Sequence, residues 1–87
     1  MLPIIDKLGG VVATHQLVMD YITFTPAERV PKRYAGGVTV RAVYHWYKFG
    51  TKLKHTDDML REIARQASVD YSPSDFEVKH ENTKTSI

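Results

Sequence analysis

Hydrophobic residues recur along most of the chain at spacings of three and four, which is the period of an α-helix. The first such pattern predicts a short helix over 2–8, ended by Gly9 and Gly10. The second predicts a helix over about 11–22, and the third, which is the clearest, predicts a helix over about 57–67. The apolar stripe of this third helix consists of Met59, Leu60, Ile63, Ala64 and Ala67.

Between the second and third patterns, the stretch 37–50 carries the signals of a complete helix. Thr39 is suited to the N-cap, because its hydroxyl can accept a hydrogen bond from a free amide of the first turn. Gly50 is suited to ending the helix, since glycine readily adopts the left-handed conformation of a C-cap. Val43 and Trp46 share one face, at a spacing of three, and are predicted to be buried. The opposite face carries Thr39, Val40, Arg41, Tyr44, His45 and Lys48.

The chain before this helix contains a second helix-start signal and an unfavourable proline. Thr25, Pro26 and Glu28 have the spacing of a capping box with proline at the first helical position. Pro31 lies too deep for the first turn of such a helix, where it would remove a backbone hydrogen bond. We therefore expect a break at Pro31 and a separate short helix over 31–36. The alternative is one helix kinked at the proline.

The last helix is predicted to begin at Thr56 as N-cap, with two aspartates at the positive end of the helix dipole. Residues 51–55 then form a basic connector, extended or irregular. Together the patterns predict an all-α fold, a compact domain of four to five short helices over 1–77. Residues 78–87 lack periodicity and are predicted to form a flexible tail.

Charge is distributed unevenly along the chain. Residues 29–55 contain seven Lys and Arg and no Asp or Glu, whereas all ten acidic residues lie outside this block. Such an asymmetry indicates an anionic partner that meets the middle of the chain. The alternative interpretation is a solvated basic surface with no partner.

Several classes of function are disfavoured by the sequence. Without cysteine, the chain can form neither disulfides nor thiolate metal sites. It has no nucleophile elbow, phosphate-binding glycine loop or metal-ligand spacing, so we expect neither an enzyme nor a bound cofactor or metal. No apolar run approaches the roughly 20 residues of a membrane span, and no signal peptide is recognisable. We therefore expect a cytoplasmic protein without membrane association.

The order of the middle elements meets the demands of a helix-turn-helix, whose second helix lies in the major groove of DNA. The structural positions of the motif are Gly37 in the turn, Val38 as apolar plug, and Val43 and Trp46 as buried anchors. We predict contacts with base edges from Thr39, Val40, Arg41, Tyr44 and His45. We predict contacts with phosphates from Lys32, Arg33, Lys48, Lys52 and Lys54.

The stretch 38–46, Val-Thr-Val-Arg-Ala-Val-Tyr-His-Trp, resembles the recognition helix of small phage and prophage Cro-like regulators. In that family a Ser or Thr cap is followed by Ala-Val-Tyr-x-Trp. Residues 5–10 and 71–76 are also similar, whereas Arg33 stands where the family has alanine and 23–33 is an extra stretch. The resemblance implies a non-enzymatic repressor in a bacterial host cytoplasm. Length and core also resemble Apl-type repressor–excisionase proteins, which implies bending of attachment-site DNA beside an integrase.

Because one module of this size covers little DNA, we expect self-association or cooperative binding on repeated sites of double-stranded DNA. Two other functions remain open from the sequence. Tyr44, Tyr47 and Phe49 are suited to an aromatic contact patch of a small phage-type module that acts on a host protein. The same mixture of basic and aromatic residues is compatible with RNA binding.

Overall fold

The computed structural model describes residues 1–78, and within this range the regular structure is entirely helical, which confirms the predicted all-α class. The α-helices are α1 (Pro3–Lys7), α2 (Val11–Phe24), α3 (Val40–Phe49) and α4 (Lys54–Gln66). Single 3₁₀ turns lie at Ala27–Arg29, Lys32–Tyr34 and Pro73–Phe76.

The core lies where the four helices meet, and each of them contributes fully buried apolar side chains. Four of the five residues predicted for the stripe of α4 are buried, because they recur on the face turned inward. Ala67 is exposed, since α4 ends at Gln66 and Ala67 forms its C-cap. The buried core residues of the helices are Ile4, Ile5, Val18, Val43, Trp46, Met59, Leu60, Ile63 and Ala64.

The chain from α2 to the 3₁₀ turns differs from the prediction. The prediction that Thr25 and Glu28 form a capping box is wrong, because the amide of Thr25 donates to Tyr21 O and makes Thr25 the C-cap of α2. The 3₁₀ turn Ala27–Arg29 follows Pro26 and has no side-chain cap. Helical geometry is lost between the two because Thr25 and Pro26 both have extended ψ angles, 140° and 138°.

The predicted break at Pro31 is confirmed, but the helix expected over 31–36 is only the 3₁₀ turn Lys32–Tyr34. Tyr34 holds this turn in the fold. Its hydroxyl lies 2.5 Å from the hydroxyl of Thr56, and its ring meets the Trp46 ring edge to face at a centroid distance of 5.7 Å. The turn is therefore fixed between α3 and the start of α4.

The predicted start of α4 is also wrong. The helix begins at Lys54 with Leu53 as N-cap, because the amides of Thr56 and Asp57 already donate to Leu53 O. Thr56 is buried inside the first turn, and its hydroxyl is bonded to Tyr34 instead of a helix amide. The connector before α4 is consequently shorter than predicted, since only 51–53 lie outside the helix.

The C-terminal segment folds back onto α1. The ammonium of Lys7 lies 2.7 Å from Oδ2 of Asp75, which also accepts from the amide of Ser72 at the start of Pro73–Phe76. Phe76 is buried in the core, and Val78 packs against it, half-buried. The remainder of the predicted flexible tail, 79–87, lies outside the described residues.

Candidate nucleic-acid interface

Both predicted ends of α3 are confirmed. The hydroxyl of Thr39 accepts a hydrogen bond from the amide of Ala42 at 3.1 Å, as an N-cap does. Gly50 ends the helix with a φ of 89°, and its amide donates to Trp46 O at 2.8 Å. These two local signals therefore fix the length of the helix at Val40–Phe49.

The side chains of α3 separate into a buried and an exposed face. Val43 is fully buried and Trp46 is 7% exposed, as predicted for the two anchors of the motif, and Val38 is half-buried against the core. On the outer face, Val40 is 42% and Tyr44 47% exposed. The other residues predicted to contact bases, Thr39, Arg41 and His45, are also exposed.

The outer face of α3 is partly organised by contacts within the helix. The Nζ of Lys48 lies 5.8 Å from the centroid of the Tyr44 ring, a cation–π geometry that leaves Lys48 half-buried. The rings of His45 and Phe49 meet edge to face at 5.3 Å. Arg41 lies on the N-terminal half of α3, and among residues 1–78 it takes part in no ion pair. Arg41 is exposed, and within the described part of the chain it has no counter-charge.

The C-terminal half of α3 is attached to α1. The hydroxyl of Tyr47 donates to Oδ1 of Asp6 at 2.9 Å, and the amide of Leu2 donates to Tyr47 O at the same distance. Tyr47 is therefore half-buried and differs from Tyr44 and Phe49, which the sequence grouped with it as one aromatic patch.

Four of the five residues predicted to contact phosphates lie outside α3, at three places. Lys32 and Arg33 are exposed on their 3₁₀ turn, where together with Pro31 and His55 they line a shallow groove. Lys52 lies at the other end of α3, in a groove that it shares with His45 and Phe49. Lys54 is exposed on the first turn of α4, where it forms an ion pair of 3.3 Å with Asp58.

The helix beside α3 is not the one that the sequence indicated. The sequence placed a short helix over 31–36 before the Gly36–Gly37 turn, but α2 is the helix that packs most extensively against α3. The error arose because residues 25–39 separate α2 from α3 along the chain, although the fold brings the two helices together.

Two side chains of α2 that the sequence did not assign to the site contact the entry to α3. The Nε2 of His15 lies 2.8 Å from Val38 O, and the amide of Val38 donates to the sulfur of Met19 at 3.4 Å. These contacts span 23 and 19 positions, and no local pattern reports them. From the sequence, His15 was expected only to lie on or near the packed stripe of α2. In the structure, His15 is half-buried.

Residues 1–78 contain no group of three His, Cys, Asp or Glu side chains arranged to hold a metal ion. Every helix within this range is too short or too polar to cross a bilayer. Comparisons of the chain with protein-family models, with curated proteins and with solved structures found no match.

Proposed function

We propose that this chain is a sequence-specific regulator that binds double-stranded DNA by inserting α3 into the major groove. The observation that carries the proposal is the division of α3 into two faces. Val43 and Trp46 hold the helix to the core, while Val40, Arg41 and Tyr44 project from it, beside the exposed cap residue Thr39. A helix held in this way can enter a groove without losing its own packing.

The charge around α3 supports the same proposal. The acid-free block 29–55 includes the Lys32–Tyr34 turn, the whole of α3 and the connector to α4. Lysines and arginines before and after a recognition helix are suited to phosphate contacts, which position a protein without reading sequence. Among residues 1–78, Lys54 is the only lysine or arginine of this block in an ion pair, and its partner is Asp58.

Arg41 is the residue we propose for the most specific contact. An arginine can donate two hydrogen bonds to O6 and N7 of guanine in the major groove. Val40 and the ring of Tyr44 are suited to contact with a thymine methyl group, and Thr39 and His45 to bases or phosphate. The resemblance to Cro-like regulators supports a repressor, with excisionase activity as the further role, and cooperative binding of copies on repeated sites.

The test compares Arg41→Ala with Arg65→Ala. Duplexes selected by the wild-type chain from a random library are measured beside a random duplex by fluorescence anisotropy. Arg41→Ala is expected to weaken binding to the selected duplex by about 1–3 kcal/mol and to relax the base preference at one position. Arg65 pairs with Glu62 on α4. Its substitution, Arg65→Ala, is the matched control and is expected to leave both affinities unchanged. Equal affinities of wild type and Arg41→Ala for both duplexes would contradict the proposal.

A second function is supported by two exposed aromatic side chains. Tyr44 is 47% and Phe49 57% exposed, and aromatic anchors are typical of protein interfaces. In this alternative the chain is a small module that acts on a host protein. Two results together would favour this alternative. The wild-type chain would bind no duplex at low salt, and it would form a stable complex with a host protein that Phe49→Ser does not form.

A further inference from the structure

We propose that His15 and Met19 of α2 are positioning residues that set the register of α3 on DNA by bonding both backbone groups of Val38. This inference rests on the proposed function. The two side chains are four residues apart and therefore share one face of α2. His15 Nε2 lies 2.8 Å from Val38 O, and the Val38 amide lies 3.4 Å from the Met19 sulfur. We call His15, Met19 and Val38 the Val38 clamp.

The direction of the bonds follows from their chemistry. A backbone carbonyl only accepts, so the Nε2 of His15 donates to Val38 O. Nε2 carries a hydrogen in the protonated ring and in one of the two neutral tautomers, so the bond does not require a charged histidine. The thioether of Met19 is a weak acceptor. His15 consequently provides the larger part of the restraint.

Val38 lies at the point where the direction of α3 is set. It precedes Thr39, whose hydroxyl caps the helix by accepting from the Ala42 amide. It follows Gly37, which has a φ of +98°. Because glycine is free to adopt many backbone conformations, this turn needs contacts from outside to hold one direction. The Val38 clamp supplies two such contacts from α2, which packs against α3, beside the bond from the Gly37 amide to Tyr34 O.

The clamp is expected to act on sequence recognition more than on affinity for DNA in general. Phosphate contacts come from flexible lysines and arginines, which tolerate a small shift of the helix. Hydrogen bonds to base edges require a fixed position of Thr39 and Arg41. Loosening the clamp therefore lowers the ratio of affinities for selected and random duplexes.

The first experiment uses His15→Phe, which keeps a planar ring and removes the donor, and His15→Gln, which keeps an N–H donor. His15→Phe is expected to weaken binding to the selected duplex about two- to tenfold, the effect of one net hydrogen bond, with the random duplex unchanged. His15→Gln is expected to restore most of this loss. Amide hydrogen exchange should accelerate in His15→Phe at Ala42 and Val43, whose amides donate to Thr39 O, and not in α4.

The second experiment separates the sulfur of Met19 from general packing. Met19→Leu is expected to lower the ratio of selected to random affinity in the same direction as His15→Phe, and by less. Met59→Leu makes the same chemical change in the core of α4, where the side chain is 2% exposed. This control is expected to leave the ratio and the exchange of Ala42 unchanged.

The outcomes separate this inference from the proposed function. Equal loss of affinity for both duplexes in His15→Phe, with faster exchange throughout the domain, would overturn the clamp and assign His15 to general stability. Unchanged exchange at Ala42 and Val43 would also overturn it. A wild-type chain that binds no duplex would contradict the proposed function instead, and the exchange measurement would still decide whether the clamp holds α3.

Discussion

At the scale of single residues, the neighbouring glycines before α3 have different roles. Gly37 has a φ of +98°, and a Cβ there would lie 3.0 Å from the terminal carbon of Met19. Its amide also donates to Tyr34 O at 2.8 Å, which joins the 3₁₀ turn to the start of α3. Gly36 lies outside the positive φ range, and a Cβ there would meet no atom within 4 Å. Only one glycine of the pair is therefore required by the backbone.

We expect Gly37→Ala to lower the free energy of unfolding by about 1–3 kcal/mol, because alanine rarely adopts a positive φ. Gly36→Ala, the matched control, is expected to be neutral or to stabilise by about 0.4–1 kcal/mol through the unfolded state. Urea unfolding followed by circular dichroism measures both changes. Equal unfolding midpoints for the two variants would contradict these different roles.

Residues whose role depends on local geometry were predictable from the sequence, whereas those with distant partners were not. Thr39 and Gly50 act within one turn of the helix that they cap, so periodicity and capping rules identified them. Thr56 has the same local signals, but its hydroxyl is bonded to Tyr34, 22 positions away. The contact of His15 with Val38 depends equally on the tertiary fold.

At the scale of elements, α3 depends on its neighbours. A helix of ten residues is marginal by itself in water. Burial of Val43 and Trp46 stabilises its inner face, and Tyr47 bonds to Asp6 near its C-terminal end. The Thr39 cap acts at the other end, where the residues proposed for base contact begin.

We expect Thr39→Ala to lower the free energy of unfolding by about 1 kcal/mol, since the amide of Ala42 loses its side-chain acceptor. Thr39→Ser keeps a hydroxyl at the same position and is expected to remain close to wild type. Thermal unfolding measures the stability of both variants, and exchange of the Ala42 amide reports the cap directly. The cap assignment would be wrong if alanine and serine had the same effect on this amide.

The elements themselves were more predictable than their boundaries. The apolar stripes of α2 and α4 indicated helices in the right places, because a buried face imposes its period on the sequence. The chain between α2 and α3 was not predictable in detail. There the helix-start signal at Thr25 coincides with the end of α2, and Tyr34 fixes the following turn through Trp46 and Thr56.

At the scale of the whole molecule, the acid-free block 29–55 contains α3, and the fold places residues from both sides of α3 in the chain against this helix. The Lys32–Tyr34 turn meets α3 through Tyr34 and Trp46, and Lys52 lines a groove with His45 and Phe49. Acidic residues take part in contacts outside this block. Asp75, for example, pairs with Lys7 and attaches the C-terminal segment to α1. The sequence showed the block, and the structure shows that Tyr34 and Lys52, which flank α3 in the chain, both lie against it.

The charge of this block predicts how binding to DNA depends on salt. Each phosphate contact changes the slope of log K against log salt by about −0.9. We expect a slope about 1 less steep for each of the variants Lys32→Ala, Arg33→Ala and Lys52→Ala. Each variant is also expected to bind the selected and the random duplex more weakly, by the same factor. Lys54→Ala is expected to have a smaller effect, because the ammonium of Lys54 already pairs with Asp58.

Anisotropy titrations over a series of salt concentrations measure the slopes, with Arg65→Ala as the control outside the block. A slope that the triple variant of Lys32, Arg33 and Lys52 leaves unchanged would exclude these side chains from the phosphate backbone, and with them the proposed orientation of α3 on DNA.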